Sequence, residues 1–279
     1  MKTLSKIGAI IALTFRESLA RKTFIAFFAL STMLHLFFIF AVNVDMVQGA
    51  RAMVSIFGKD VEGGGKIDIE ELIIGIESAI AGAGFVGGLF LSIFATASLV
   101  PTMLEKGNIE LLISKPLSRP LIFSARFLGA LSIMVFNVTY LIAGNWLILC
   151  IKTNFWYGPY LYSIPMVVAA FATMYALLAL MGVTTRSAGF SIMVAFAVLL
   201  LSPALVQKDK IYALLSSKIY YYILEGLYNA LPKTFELAQI NQALVMGRPV
   251  ESWMALWTSI LSALVMLSAS IFIFSKKDF

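Results

Sequence analysis

One cysteine, one histidine and a charged fraction of only 13% over 279 residues remove most kinds of chemistry at the outset. Cys150, alone, can form neither an intrachain disulfide nor a cysteine-based metal site. His35, alone, cannot build a histidine cluster. No H-E-x-x-H, G-x-S-x-G or Walker A pattern occurs. The run Gly63-Gly64-Gly65-Lys66 fails the Walker spacing, because Asp60 stands where a glycine is needed and Ile67 where Ser or Thr is needed. It reads as a flexible turn. The acidic residues around it (Asp45, Asp60, Glu62, Asp68, Glu70, Glu71, Glu77) lack the alternating order of a calcium loop and read as a solvated face. The chain is therefore not expected to be an enzyme, and neither a metal site nor a directly bound cofactor is expected.

Polar residues are also too few for a soluble core. With 60% hydrophobic residues and a mean hydropathy of +0.92, the composition is that of a membrane protein. The net charge of +6 is spread through short segments and makes no basic face, which argues against nucleic acid as a partner.

What is present is a series of uncharged apolar runs. Six of them, at 23–43, 79–100, 127–150, 165–183, 188–206 and 253–274, contain no Asp, Glu, Lys or Arg. A helical span needs roughly 17 to 25 residues, and a charge at mid-membrane costs at least about 2.5 kcal/mol, so six clean runs predict six transmembrane helices in an all-α protein with one membrane domain. Lys2, Lys6, Arg16, Arg21, Lys22, Lys106, Lys115, Arg119, Arg126, Arg186, Lys276 and Lys277 then fall on one side with few acids, which makes that side cytoplasmic and puts both termini there. The run after residue 22 is span-length, so no cleavable leader is expected.

The stretch Glu105–Gly129, EKGNIELLISKPLSRPLIFSARFLG, is a charged, proline-punctuated island between two apolar runs. Asn108 can cap a short helix with Glu110 in its first turn and Ile109, Leu111, Leu112 and Ile113 on an apolar face. Lys115-Pro116 ends it, and Ser118 with Pro120 opens a second helix. Too short to fold alone, the island needs a partner for its apolar face.

This island resembles the cytoplasmic loop after the second span of ABC-2-type transporter permeases, and FRESLARKTF near the N-terminus, the six-span layout and the terminal FSKKDF resemble the same family. The resemblance implies a coupling helix that docks on a separate ATP-binding subunit, with ATP and magnesium held by that subunit. On that model Ile109, Leu111 and Leu112 are apolar anchors, Glu105, Lys106, Glu110 and Arg119 rim charges, and Asn108 and Pro116 shape the helix and its hinge. The family further implies a second permease subunit, identical or related, export as the direction, and the cytoplasmic membrane of a prokaryote as the location.

Other stretches are less specific. Residues 4–19 form an amphipathic surface helix through Leu4, Ile7, Ile11, Phe15 and Ser18, the connecting helix of the family or a plain lipid anchor. His35 in the first span and Asn137, Thr139, Tyr140 and Asn145 in the third are polar groups inside spans, and His35, Asn137, Tyr140 and Asn145 are candidates for a translocation path or for interhelical bonding. Gly84 and Gly88 have the GxxxG spacing and offer a helix-packing or dimer strip. Pro101 is expected to end the second span, residues 67–77 to make a short external helix with its carboxylates in water, and 207–252 to lie as tyrosine-rich interfacial helices at the outer leaflet. A secondary carrier, or a channel or scaffold subunit without ATP coupling, is the alternative. The carrier lacks an in-span carboxylate, and the scaffold gives the island no use.

Overall fold

The computed structural model describes residues 2–19, 22–40, 42–47, 51–56, 59–60, 67–113, 117–208, 211–212 and 218–277. In chain order they form α1 (Lys2–Leu19), α2 (Lys22–Phe40), strands β1 (Val42–Val47), β2 (Arg51–Ile56), β3 (Lys59–Asp60) and β4 (Ile67–Asp68), then α3 (Ile69–Thr96), α4 (Leu99–Met103), α5 (Asn108–Ile113) and α6 (Arg119–Thr153). A 3₁₀ turn (Gly158–Tyr162) leads into α7 (Ser163–Thr185), followed by α8 (Ala188–Val206), α9 (Lys218–Ala230), α10 (Thr234–Val245) and α11 (Met254–Lys276). The Gly63–Lys66 turn and Lys115-Pro116 lie outside the described residues.

Helices dominate, and five stretches are long and apolar enough to cross a membrane: Glu70–Met103, Arg119–Thr153, Gly158–Thr185, Ala188–Val206 and Met254–Lys276. A shorter apolar helix covers Phe24–Phe40. Their outer surface is greasy: Met33, Phe40, Ile151, Met193, Leu200 and Trp257 are exposed. Such a surface suits acyl chains rather than water, and these features suggest a multi-pass membrane protein.

At the centre stands α7, whose Ala170, Phe171, Met174, Tyr175, Ala176 and Ala179 are all buried. Alanines on this helix let neighbours approach closely, and α11 lies along it with Ser259, Ser262 and Ser270 turned inward. Small residues are what helices in lipid use at contacts. Among the described side chains of α2 the stripe Phe24, Phe27, Ser31, His35 and Phe38 is buried at helical spacing, Thr32 and Leu34 are half-buried, and the exposed ones are apolar.

Four sequence expectations need correction. The segment 44–78, expected as an external loop, opens on a small antiparallel sheet that starts at Val42, within the run expected as the first span: β1 pairs with β2 from Val42 opposite Ile56 to Val47 opposite Arg51, and β3 and β4 both pair with β2. Val42, Val44, Val47, Val54 and Ile56 supply the β-branched content that a periodicity scan for spans passes over. The second span does not end at Pro101. The helix breaks at Thr96, after the Ser92 and Thr96 hydroxyls have bonded back to the Leu89 and Ser92 carbonyls at 2.8 and 2.7 Å, and Pro101 sits inside α4. Such back-bonding bends helices, and early in a helix the missing proline N–H costs little. The short external helix is instead continuous with α3, so Glu77, expected in water, is fully buried. Finally, only part of 207–252 stays at the surface. In α9, Ile219, Tyr222 and Ile223 are exposed, whereas α10 packs on α3, α7, α8 and the 3₁₀ turn with Leu237, Ile240 and Val245 buried.

Candidate docking surface and buried polar sites

After α4 the chain turns on Gly107, whose φ of +96° is open to glycine without a Cβ clash. Asn108 opens α5, but its side-chain amide donates back to the Thr102 carbonyl at 3.0 Å, so it locks the turn from behind. Ser118 precedes α6 in extended conformation with Pro120 in the first turn, as the sequence implied, and α6 then runs unbroken to Thr153. The second helix that Ser118 and Pro120 open is the base of a 35-residue one.

The apolar face of α5 is not free. Ile109 and Leu112 are each 3% exposed, packed into a layer with Ile10 of α1, Met103 and Leu104 beside α4, Phe123 of α6, Val183 of α7 and Phe274 of α11. This corrects the expectation that they await a partner: the other helix ends already cover them, an environment no local reading of the island reveals. Leu111 lies in the same helix, and Pro116 falls outside the described residues. Glu105, Lys106, Asn108 and Glu110 are exposed, as is the α7–α8 tip Thr184–Ser187.

Hydrogen bonds stitch this end together. Arg119 donates from Nη1 to the Ser275 and Lys277 carbonyls at 3.2 and 2.7 Å, so it caps the C-terminus of α11 instead of standing on a rim. Lys277 Nζ in turn donates to the Val183 carbonyl at the end of α7. Burial, and then the nearby Arg186 charge, hold Lys277 below the ordinary lysine value. Glu17 of α1 pairs with Arg126 of α6. The face of α1 that meets the bundle carries buried Ile10 and Thr14, offset from the predicted Ile7, Ile11, Phe15 stripe. Gly129 makes this docking possible, since a Cβ there would lie 2.6 Å from Thr14 Cβ.

Among the polar residues inside helices, the structure brings His35 and Tyr140 together. His35 Nε2 lies 3.2 Å from the Leu141 carbonyl, which can only accept, so that nitrogen carries the ring proton. The imidazole rests on Gly144, where a Cβ would come within 2.4 Å of its Cε1, and against the Tyr140 ring at 4.8 Å. Thr32 already donates to the Phe28 carbonyl, so the Tyr140 hydroxyl, 3.1 Å away, donates to Thr32. His35, Thr32 and Tyr140 thus form an α2–α6 clasp. Asn137 is buried and donates to the Ile133 carbonyl of its own helix at 3.2 Å. Asn145 is buried without a hydrogen-bond partner among the described residues.

Gly84 has only Leu141 near it, at 3.9 Å from a built Cβ, and Gly88 faces open space. The GxxxG strip makes no tight contact within the chain. The close approaches fall at Gly129, Gly144 and Gly182, the last 3.2 Å from Val100 and Pro101 atoms, and none of these has a glycine partner four residues away. Sequence reasoning also missed Glu77 and a cavity of about 530 Å³ lined by Tyr228, Glu236, Gln242, Arg248, Glu251 and Met254, among others. No signal in the sequence marked either.

Comparison with protein-family models and with curated protein sequences returns no match.

Proposed function

We propose that the chain is the permease subunit of an ATP-binding cassette transporter, six-spanning with both termini in the cytoplasm, working with a separate ATP-binding subunit that holds ATP and magnesium. The observation that carries the reading is the Glu105–Glu110 turn and helix. Its polar side is exposed, and Ile109 and Leu112 fasten its other side to the ends of α1, α4, α6, α7 and α11. A partner pushing on Glu105, Lys106, Asn108 and Glu110 would move those helix ends as one body. The basic segments that set the orientation gather at this same end, joined by the Arg119 and Lys277 bonds. The Phe24–Phe40 helix is counted as the sixth span because its exposed face is wholly apolar. A second permease subunit completes the path, with the exposed apolar helix faces as available contact area. Export across the cytoplasmic membrane of a prokaryote follows from the resemblance of the island.

The test is affinity recovery of the chain in mild detergent from its native membrane. We expect a Walker-containing subunit in stoichiometric amount and ATPase activity, with the triple variant Glu105→Arg, Lys106→Glu, Glu110→Arg losing both while still inserting in the membrane. Recovery of the chain alone, or a complex indifferent to these reversals, overturns the assignment. The alternative, a cation-coupled carrier, is favoured by one observation, the buried Glu77 carboxylate.

A further inference from the structure

We propose that the junction of α3, α6, the 3₁₀ turn and α10 binds a small monovalent cation, a proton or an alkali-metal ion, with the Glu77 carboxylate as its charged ligand. Glu77 is 0% exposed, and neither carboxylate oxygen has a hydrogen-bond partner among the described residues. A carboxylate in that state has to be neutralised, since an isolated buried charge is among the costliest features a fold can hold. Buried polar atoms of Asn145, Tyr160, Ser163 and Asn241 are likewise unpartnered. Folded chains leave few such groups, and here four accompany one acid.

The packing brings several of them to one level. Gln242 of α10 donates to the Ser78 hydroxyl, which ties Asn241 and Glu77 to adjacent turns of the two helices. The 3₁₀ turn packs on α3, α6 and α10 and carries Tyr160. Cys150 of α6, Tyr160 and Tyr157 are among the described titratable groups around the site, and burial, then the Glu77 and Glu70 charges, push the Tyr157 hydroxyl above the ordinary phenol range. On the other packed elements, His35 of α2 is bonded to the Leu141 carbonyl and Lys152 of α6 donates to the Ile39 carbonyl. Hydroxyl and amide oxygens are neutral donors suited to a hard cation or to a protonated carboxyl. Access is at hand: Gln242, bonded to Ser78, also lines the 530 Å³ cavity, together with Glu236, Arg248 and Glu251.

The site belongs to the chain itself, so its test needs no ATP-binding subunit and does not depend on the transporter reading. The full chain in detergent is unfolded thermally in sodium chloride against choline chloride at constant ionic strength, and across pH in choline. Tryptophan fluorescence reports the transition, since Trp146 Nε1 donates to the Tyr157 carbonyl at 2.8 Å. We expect the midpoint to climb with sodium or with protons and to saturate, and Glu77→Gln to remove that dependence. A sodium response at fixed pH identifies an alkali ion, and a response to pH alone identifies the proton. Identical responses of wild type and Glu77→Gln overturn the site. Should Glu77→Gln fail to fold, Tyr160→Phe, which deletes one oxygen, is expected to move the half-saturating cation concentration about tenfold. An unchanged value there overturns it equally.

Discussion

At the end of the bundle that carries the Glu105–Arg119 connection, Asn108, Arg119 and Lys277 each reach a backbone carbonyl, and Glu17 meets Arg126. At the end where α3 begins and α10 packs, Glu77, Asn145, Tyr160 and Asn241 hold buried polar atoms with no hydrogen-bond partner among the described residues. Both ends have an apolar layer, so the contrast is not one of packing. One end is a mechanical joint at which side-chain bonds to backbone carbonyls and one ion pair hold helix ends together, with Arg126 Nε its unpartnered buried polar atom among the described residues. The other keeps polar groups in reserve, beside a cavity, for something the chain does not itself supply.

The contrast can be broken most forcefully at the joint. Ile109→Asp places a charge in the layer shared by α1, α5, α6 and α11 and should cost about 3–5 kcal/mol, read as a lowered midpoint of thermal or detergent unfolding. A loss under 1 kcal/mol would mean that α5 peels away freely and is no joint. Arg119→Met should cost about 1.5–3 kcal/mol by releasing two charge-assisted bonds to the end of α11, and should raise hydrogen exchange over 270–277. In the middle of the bundle, Gly144→Ala forces a methyl into the His35 ring and should cost about 1–3 kcal/mol. Gly88→Ala should be neutral or gain up to about 1 kcal/mol from helix propensity. The reverse order for these two glycines would restore the GxxxG strip as the packing face within the chain. At the reserve end, Gln242→Leu removes one bond to Ser78 and should cost only about 1 kcal/mol, read as a small fall in the unfolding midpoint.

The smallest effect is a pH slope. Lys277 is held below its ordinary value, so in the window just below that value the folded chain binds fewer protons than the unfolded one. Stability then rises with pH there, and Lys277→Met should flatten the slope.

How far the sequence was legible differs between these regions for physical reasons. Span positions were legible because absence of charge over a helical length is a local property: α8 begins and ends where the uncharged run does, and α7 and α11 extend theirs by only a few residues. The island's helix, its turn and its Ser118-Pro120 restart were also local. The direction its apolar face points was not, because Ile109 and Leu112 are covered by residues from 10 to 274. A proximal glycine pair suggested close packing, yet whether a glycine is filled depends on the side chain opposite, and at Gly144 that is His35 from another helix. Glu77 looked like one more acid in an acidic segment. It is buried because α10, more than 150 residues later, folds in over the start of α3.

By itself the sequence determined the apolar character of this protein, the places of its long apolar helices and the segments in which its basic residues collect, since each of these depends on composition over one or a few turns. Tertiary structure alone decided which faces are spent and which are free: that the α5 anchors point inward, that His35 clasps Tyr140, and that one carboxylate is buried with no hydrogen-bond partner among the described residues. Those outcomes are set by contacts between residues distant in the chain, where the preference of no single segment carries the information.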